Sequence, residues 1–187
     1  MSWRTRSKLV TLLAVAGALS SPAASPAMPA GPRLPTAASH PAVASPRPHR
    51  GDRVATILIP KLDLRIPVRE GCGLGVLARG VCHYPGGALP GEPGTVALAG
   101  HRVTPVGGLP HGPFRYLNRL RPGDLIALTR EGRRRAYVVT GTAVVRPARV
   151  GVLAGPDLVL TACHPPGLAT YRLVVSARAA PGRSLRG

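Results

Sequence analysis

The chain has 187 residues and a formal net charge of +18, with 23 Gly and 22 Pro but only one Phe, one Trp and four Tyr. A core built on aromatic rings is therefore excluded, and packing must come from Val, Leu, Ile and Ala in a compact, turn-rich β domain. Of the 25 basic residues only Lys8 and Lys61 are Lys. With no aromatic stacking platform and no basic recognition helix, this charge does not suit nucleic acid. It reads either as a solvated surface or as attraction to an anionic membrane or wall polymer.

In chain order, a targeting segment comes first. Arg4, Arg6 and Lys8 precede the apolar run Leu9 to Leu19, the basic flank and short apolar stretch of a secretory signal. The run is short of the ~20 residues that span a bilayer. Residues 1–20 are expected to be a signal peptide or a short signal-anchor, with the remainder exported to the outer side. Residues 21–52, rich in Pro, Ala and Ser, read as a disordered linker. His40 and His49 lie in it without a constellation and take no role.

Residues 53–180 are expected to form one domain, and 181–187 a frayed tail. Strands are predicted at 54–59 and 64–68, the second placed at an edge or bulge by Pro67. One helical turn is expected within 71–78. The segment 84–94 is dense in Pro and Gly and must be a loop. A strand over 95–99 runs into Gly100-His101. A short helix is expected over 113–120, stopped by Arg121-Pro122-Gly123-Asp124. Further strands are expected at 125–129, 136–142, 143–146, 158–162 and 172–177, with Arg133-Arg134-Arg135 in a hairpin turn. Many short strands separated by turns imply an all-β sandwich or barrel.

The chemistry-bearing residues fall at strand ends, where rigid scaffolds present catalytic groups. His101 follows the apolar strand Val96-Ala97-Leu98-Ala99 and a Gly. Cys163 follows Leu158-Val159-Leu160-Thr161-Ala162. A hairpin across Pro165-Pro166-Gly167 would return Arg172 beside Cys163. A cysteine nucleophile needs a nearby cation to favour its thiolate. A histidine can protonate the leaving amine and deprotonate an incoming nucleophile. A fixed guanidinium can stabilise a tetrahedral oxyanion. Each residue alone reads more readily as structural or solvated; the combination points to thiol chemistry.

The stretch from Ile57 to Ala177 resembles the catalytic domain of sortases, above all the class E sortases of actinobacteria. The resemblance is carried in order by Ile59-Pro60-Lys61-Leu62, His83-Tyr84-Pro85-Gly86, Leu89-Pro90-Gly91-Glu92-Pro93-Gly94 and Ala97-Leu98-Ala99-Gly100-His101-Arg102. Pro113-Phe114, Leu120-Arg121-Pro122-Gly123-Asp124, Leu160-Thr161-Ala162-Cys163-His164-Pro165 and Arg172-Leu173 complete it. It implies an eight-stranded closed β-barrel with short helices in the connecting loops. It implies Cys163 as nucleophile, His101 as general acid/base and Arg172 as oxyanion stabiliser. It implies a cysteine transpeptidase, a thiol endopeptidase of the hydrolase class. Such an enzyme cleaves a Leu-Pro-x-Thr-Gly or Leu-Ala-x-Thr-Gly sorting signal between Thr and Gly. It then transfers a surface protein or pilin to an amine of a peptidoglycan precursor or pilin. The family pattern Thr-Leu-x-Thr-Cys is altered here, with Val159 and Ala162 in place of its two threonines.

With Cys163 assigned to catalysis, Cys72 and Cys82 remain as a candidate disulfide in an exported chain. The alternative use is a zinc site with His83 and His101, although no paired Cys-x-x-Cys element supports it. His164 is read as a wall of the site, and His111 as a solvated loop residue or part of a substrate groove. Seven dispersed acids do not suit calcium, so neither metal nor cofactor is expected. The competing functional readings are a sortase-fold thiol hydrolase and a non-catalytic basic wall-binding barrel.

Overall fold

The computed structural model describes residues 46–106, 108–152 and 155–182. The targeting segment 1–20, the linker through residue 45 with His40, and residues 183–187 of the tail lie outside the described residues. Eight strands close into one barrel: β1 (Arg53–Ile59), β2 (Leu64–Glu70), β3 (Val81–His83), β4 (Val96–Ala99), β5 (Leu125–Arg130), β6 (Arg133–Val145), β7 (Leu158–His164) and β8 (Tyr171–Ala179). Their order around the barrel is β1-β2-β3-β4-β7-β8-β6-β5. The β2–β3 and β4–β7 pairs are parallel and the others antiparallel. The helical content is one short helix, α1 (Leu74–Leu77), and brief 3₁₀ turns.

The interior is aliphatic, as the composition requires. Ile57 and Ile59 of β1, Leu98 of β4, Ile126 and Leu128 of β5, and Leu158 and Leu160 of β7 are at most 1% exposed. The chain's one Phe, Phe114, is completely buried among them. On β7 and β8 the core takes Leu158, Leu160 and Ala162 with Leu173, Val175 and Ala177. The two-residue period of a strand then turns Cys163 and Arg172 to the opposite face.

Four local expectations change. The strand β3 was not anticipated. The hairpin turn after β5 is Glu131-Gly132, both at positive φ (50° and 73°), as a two-residue turn of the primed type demands. Arg133, Arg134 and Arg135 therefore belong to β6, opposite Arg130, Thr129 and Leu128. The expected separate strands 136–142 and 143–146 are one strand. Its residues 133–138 pair with β5 and residues 137–145 with β8, with a register shift between Val139 and Gly141 that bends the strand. In place of a helix over 113–120 there are turns and a 3₁₀ segment, Leu117–Arg119. Phe114, Leu117 and Leu120, all fully buried, recur at the three-residue period of that geometry. Pro67 is accommodated because the β2–β3 ladder begins one residue later, at Val68.

Cys72 and Cys82 form a disulfide, with S–S 2.05 Å and Cα–Cα 5.2 Å. The bond ties the segment before α1 to β3 and commits both thiols, so the zinc alternative fails for lack of ligands. Closing a loop of this size restricts the unfolded chain. Replacing both cysteines by Ser should lower the unfolding free energy by about 2–3 kcal/mol, measured by urea denaturation. An unchanged midpoint would contradict a stabilising role for the bond.

Candidate active site

One end of the barrel gathers the C-terminal ends of β4 and β7 and the start of β8. At β4 the chain leaves the sheet through Gly100. A Cβ there would come within 2.9 Å of the Phe114 ring, so a side chain at this position would unseat the core. The Gly100 N–H donates to the Thr161 carbonyl at 3.2 Å, and the Phe114 N–H donates to the His101 carbonyl at 2.9 Å. A Cβ on Gly112 would collide with the same His101 carbonyl. Local sequence thus fixes the His101 backbone from two sides. Gly100 lets the chain pass over Phe114, and Gly112 lets the following loop close against it.

On β7, Cys163 is half-buried and is the free thiol among the three cysteines. It stands directly across the β7–β8 ladder from Arg172. Directly opposed residues have Cβ atoms about 5 Å apart on one face of the sheet. His101 and Cys163 line the same cleft, of about 120 Å³, with Arg102, Val103, Thr104 and Leu168. A larger hollow, of about 550 Å³, lies at the other end, between Asp52–Val54 and Arg130–Glu131. Neither a thiol nor an imidazole lines it.

All three expected residues therefore meet at one end of the barrel. The Arg172 guanidinium is turned onto its own loop, where Nη1 donates to the carbonyls of Ala169 (2.9 Å) and Tyr171 (3.0 Å). Ala162, which replaces a family threonine, points into the core away from Cys163. A hydroxyl at that position would face aliphatic side chains, so its loss is a change in the core and not in the cleft. Thr161 shares the face of Cys163. Its hydroxyl donates to the Leu98 carbonyl at 3.2 Å and lies 3.3 Å from the Tyr84 hydroxyl, pinning β7 to β4 just before the thiol.

Two histidines outside the trio find partners. His164 Nδ1 lies 3.2 Å from Nη1 of Arg102, an arginine that lines the cleft. His111 Nδ1 donates to the Gly112 carbonyl at 3.0 Å, and its ring stands edge-on to Tyr116 at 5.1 Å between centroids. The residue that sequence reasoning missed is Arg102. Its side chain is 5% exposed and reaches Asn118 Oδ1 at 2.9 Å and the Arg115 carbonyl at 3.2 Å. Burial, and then the Arg115 guanidinium, pull its pKa below the ordinary arginine value, while negative charge at Cys163 pushes it back up. Its place in Gly100-His101-Arg102, next to the histidine, was the available signal.

A sortase-domain family model matches residues 57–180. The chain is 36% identical over 145 residues to Sortase SrtE1 of Streptomyces coelicolor, covering 67% of this chain and 40% of that protein. It is 29% identical over 126 residues to Sortase D of Bacillus subtilis, covering 65% of this chain and 60% of that one. The chain thus spans less than two thirds of the length of either relative. Among solved structures, it is similar to sortase C of Clostridium perfringens, whose structure was determined with the C-terminal cell wall sorting motif. There the identity is 28% and the TM-score 0.62, with 71% of this chain and 72% of that one covered. Since the matched segment runs from within β1 past the end of β8 and takes in all of the barrel but the first residues of β1, the chain belongs to the sortase family.

Proposed function

We propose that the chain is a class E-like sortase, a cysteine transpeptidase that cleaves a Leu-Pro-x-Thr-Gly or Leu-Ala-x-Thr-Gly signal between Thr and Gly. The observation that carries the reading is the ladder pairing of Cys163 with Arg172, beside the cleft that Cys163 shares with His101. The likeness to a Streptomyces class E protein and to a sortase solved with a sorting motif supports the substrate class.

In this reading the Cys163 thiolate attacks the Thr carbonyl carbon. The C–S bond forms, and the carbonyl oxygen gains the negative charge. A guanidinium has five N–H donors; Arg172 uses one nitrogen on the Ala169 and Tyr171 carbonyls. That anchors the fork while its remaining donors face the oxyanion. Collapse breaks the Thr–Gly C–N bond, and His101 delivers a proton to the departing Gly amine. A second amine, from a peptidoglycan precursor or a pilin Lys, then gives a proton to His101 and attacks the thioester. The new amide forms and Cys163 leaves as thiolate. The net change exchanges one amide for another, so neither metal nor redox cofactor is required.

Export through residues 1–20 would place the barrel at the outer face of the membrane, where sorting-signal proteins emerge. Exposed Arg133, Arg134 and Arg135 would favour an anionic membrane or wall surface there. The reading is tested by incubating the full-length chain with sorting peptides of both types, with and without an amine acceptor, and resolving products by mass spectrometry. Cleavage at Thr–Gly with an amine-linked product is expected. Cleavage that yields only the free acid in the presence of the amine would replace transfer by hydrolysis. No cleavage of either peptide, with retention on wall polymer, would favour a binding module.

A further inference from the structure

Arg102 is a buried cation, 5% exposed, and no carboxylate pairs with it among the described residues. Its neutral contacts hold it firmly. Nε and Nη2 reach the Arg115 carbonyl, at 3.4 and 3.2 Å, and Nη2 also reaches Asn118 Oδ1 at 2.9 Å. Nη1 lies 3.2 Å from His164 Nδ1. A guanidinium can only donate, so His164 Nδ1 must accept, and its ring hydrogen sits on Nε2. Burying a charge without a counter-charge is costly, and a fold that holds one in place directs its field somewhere. Arg102 lines the cleft together with Cys163. By chain position it follows His101, and the histidine that it binds follows Cys163. The guanidinium thereby bridges the two segments that carry the proposed base and nucleophile.

We propose that Arg102 is a positioning residue of the active site, clamped by Asn118, Arg115 and His164 so that its charge faces the cleft that holds the Cys163 sulfur. The division of labour between the two arginines follows. Arg102 places a fixed positive charge at the cleft before substrate arrives. Arg172, anchored to its own loop, answers the oxyanion once substrate arrives. The inference rests on Cys163 as the reacting thiol, but its test needs no sorting peptide.

Of the three cysteines only Cys163 is a free thiol, so alkylation of the full-length oxidised chain reports on it alone. Rates with neutral iodoacetamide and anionic iodoacetate are compared at neutral pH for the wild type, R102Q, R102K, N118A and R172Q. A cation beside the sulfur accelerates the anionic reagent more than the neutral one. We expect R102Q to slow iodoacetamide by about tenfold and to lower the iodoacetate-to-iodoacetamide ratio by at least about threefold. R102K should keep that ratio, and R172Q, which removes the cation across the ladder from Cys163, should lower it less than R102Q does. Asn118 is exposed, so N118A should fold; loosening the clamp should lower the ratio by about twofold.

Wild-type rates and ratio in R102Q would overturn the proposal, as would an equal slowing of both reagents, which marks a purely structural role. If R102Q does not fold, an unchanged ratio in N118A overturns it. Peptide cleavage is a separate readout. Its absence alongside the expected alkylation pattern would count against the sortase chemistry and leave the placement of Arg102 standing.

Discussion

On the proposed mechanism, Cys163→Ala will reduce sorting-peptide cleavage to below about one-thousandth of the wild-type rate, because it removes the thiol that forms the covalent intermediate. The fold should be unaffected, since Cys163 lies on the face of β7 away from the core. His101→Ala should cost about 10²–10⁴-fold in kcat, the usual worth of a positioned acid/base. Arg172→Ala should cost about 10²–10³-fold, the usual worth of one oxyanion donor. Arg172→Lys should recover little, since a single ammonium cannot hold the Ala169 and Tyr171 carbonyls and the oxyanion together. Steady-state rates with amine acceptor present check all four variants. Cleavage that survives Cys163→Ala would remove the thiol from the mechanism.

His83→Leu is expected to cost about 3–5 kcal/mol of stability, the largest loss foreseen for a residue outside the core packing. Glu70 and His83 are 8% and 1% exposed, and His83 Nδ1 lies 2.6 Å from Glu70 Oε2. The other ring nitrogen faces the Ala88 carbonyl at 3.0 Å. A carbonyl only accepts, so Nε2 carries a hydrogen, and a second proton lies between Nδ1 and the carboxyl. The pair is neutral as a unit, which makes its burial tolerable. It also holds the loop after β3 through Ala88. Leucine at position 83 strands the carboxylate inside the barrel and releases that loop together. Glu70→Leu with His83→Leu should regain most of the loss, because two apolar side chains leave no buried charge. Urea unfolding of the single and double variants checks this. A single variant within about 1 kcal/mol of wild type would show that the pair carries no stability.

How far each feature could be read in the sequence depended on whether its cause is local. Apolar runs closed by Gly or Pro gave β1, β4, β5 and β7, because burial on at least one face writes itself into consecutive residues. The β7–β8 hairpin was legible for the same reason, and with it the meeting of Cys163 and Arg172. The strand β3 was not, for it has three residues and includes Cys82 and His83. Its pairing with β2 and β4 comes from elements distant in sequence and not from periodicity. The single strand β6 was divided between Thr142 and Ala143, whereas in the barrel it runs unbroken through a register shift between Val139 and Gly141. The Arg133–Arg135 run was placed in the turn because it follows Glu131-Gly132 and lies between two apolar runs; the positive φ of Glu131 and Gly132 confines the turn to those two residues. The Glu70–His83 pair and the Arg102 clamp are contacts between residues far apart in the chain, with no motif to announce them. The closed barrel and the roles of the trio came through the ordered resemblance, and composition alone gave only a turn-rich β domain.

The most direct measurement of the central claim is the intact mass of the full-length chain after incubation with a Leu-Ala-x-Thr-Gly peptide, without an amine acceptor and quenched in acid. The account predicts an adduct equal to the peptide through its Thr residue, lost on adding hydroxylamine and mapped to the fragment containing Cys163. An adduct on any other residue, or product formation from this peptide with no acyl-enzyme trapped at Cys163 under rapid quench, would contradict it.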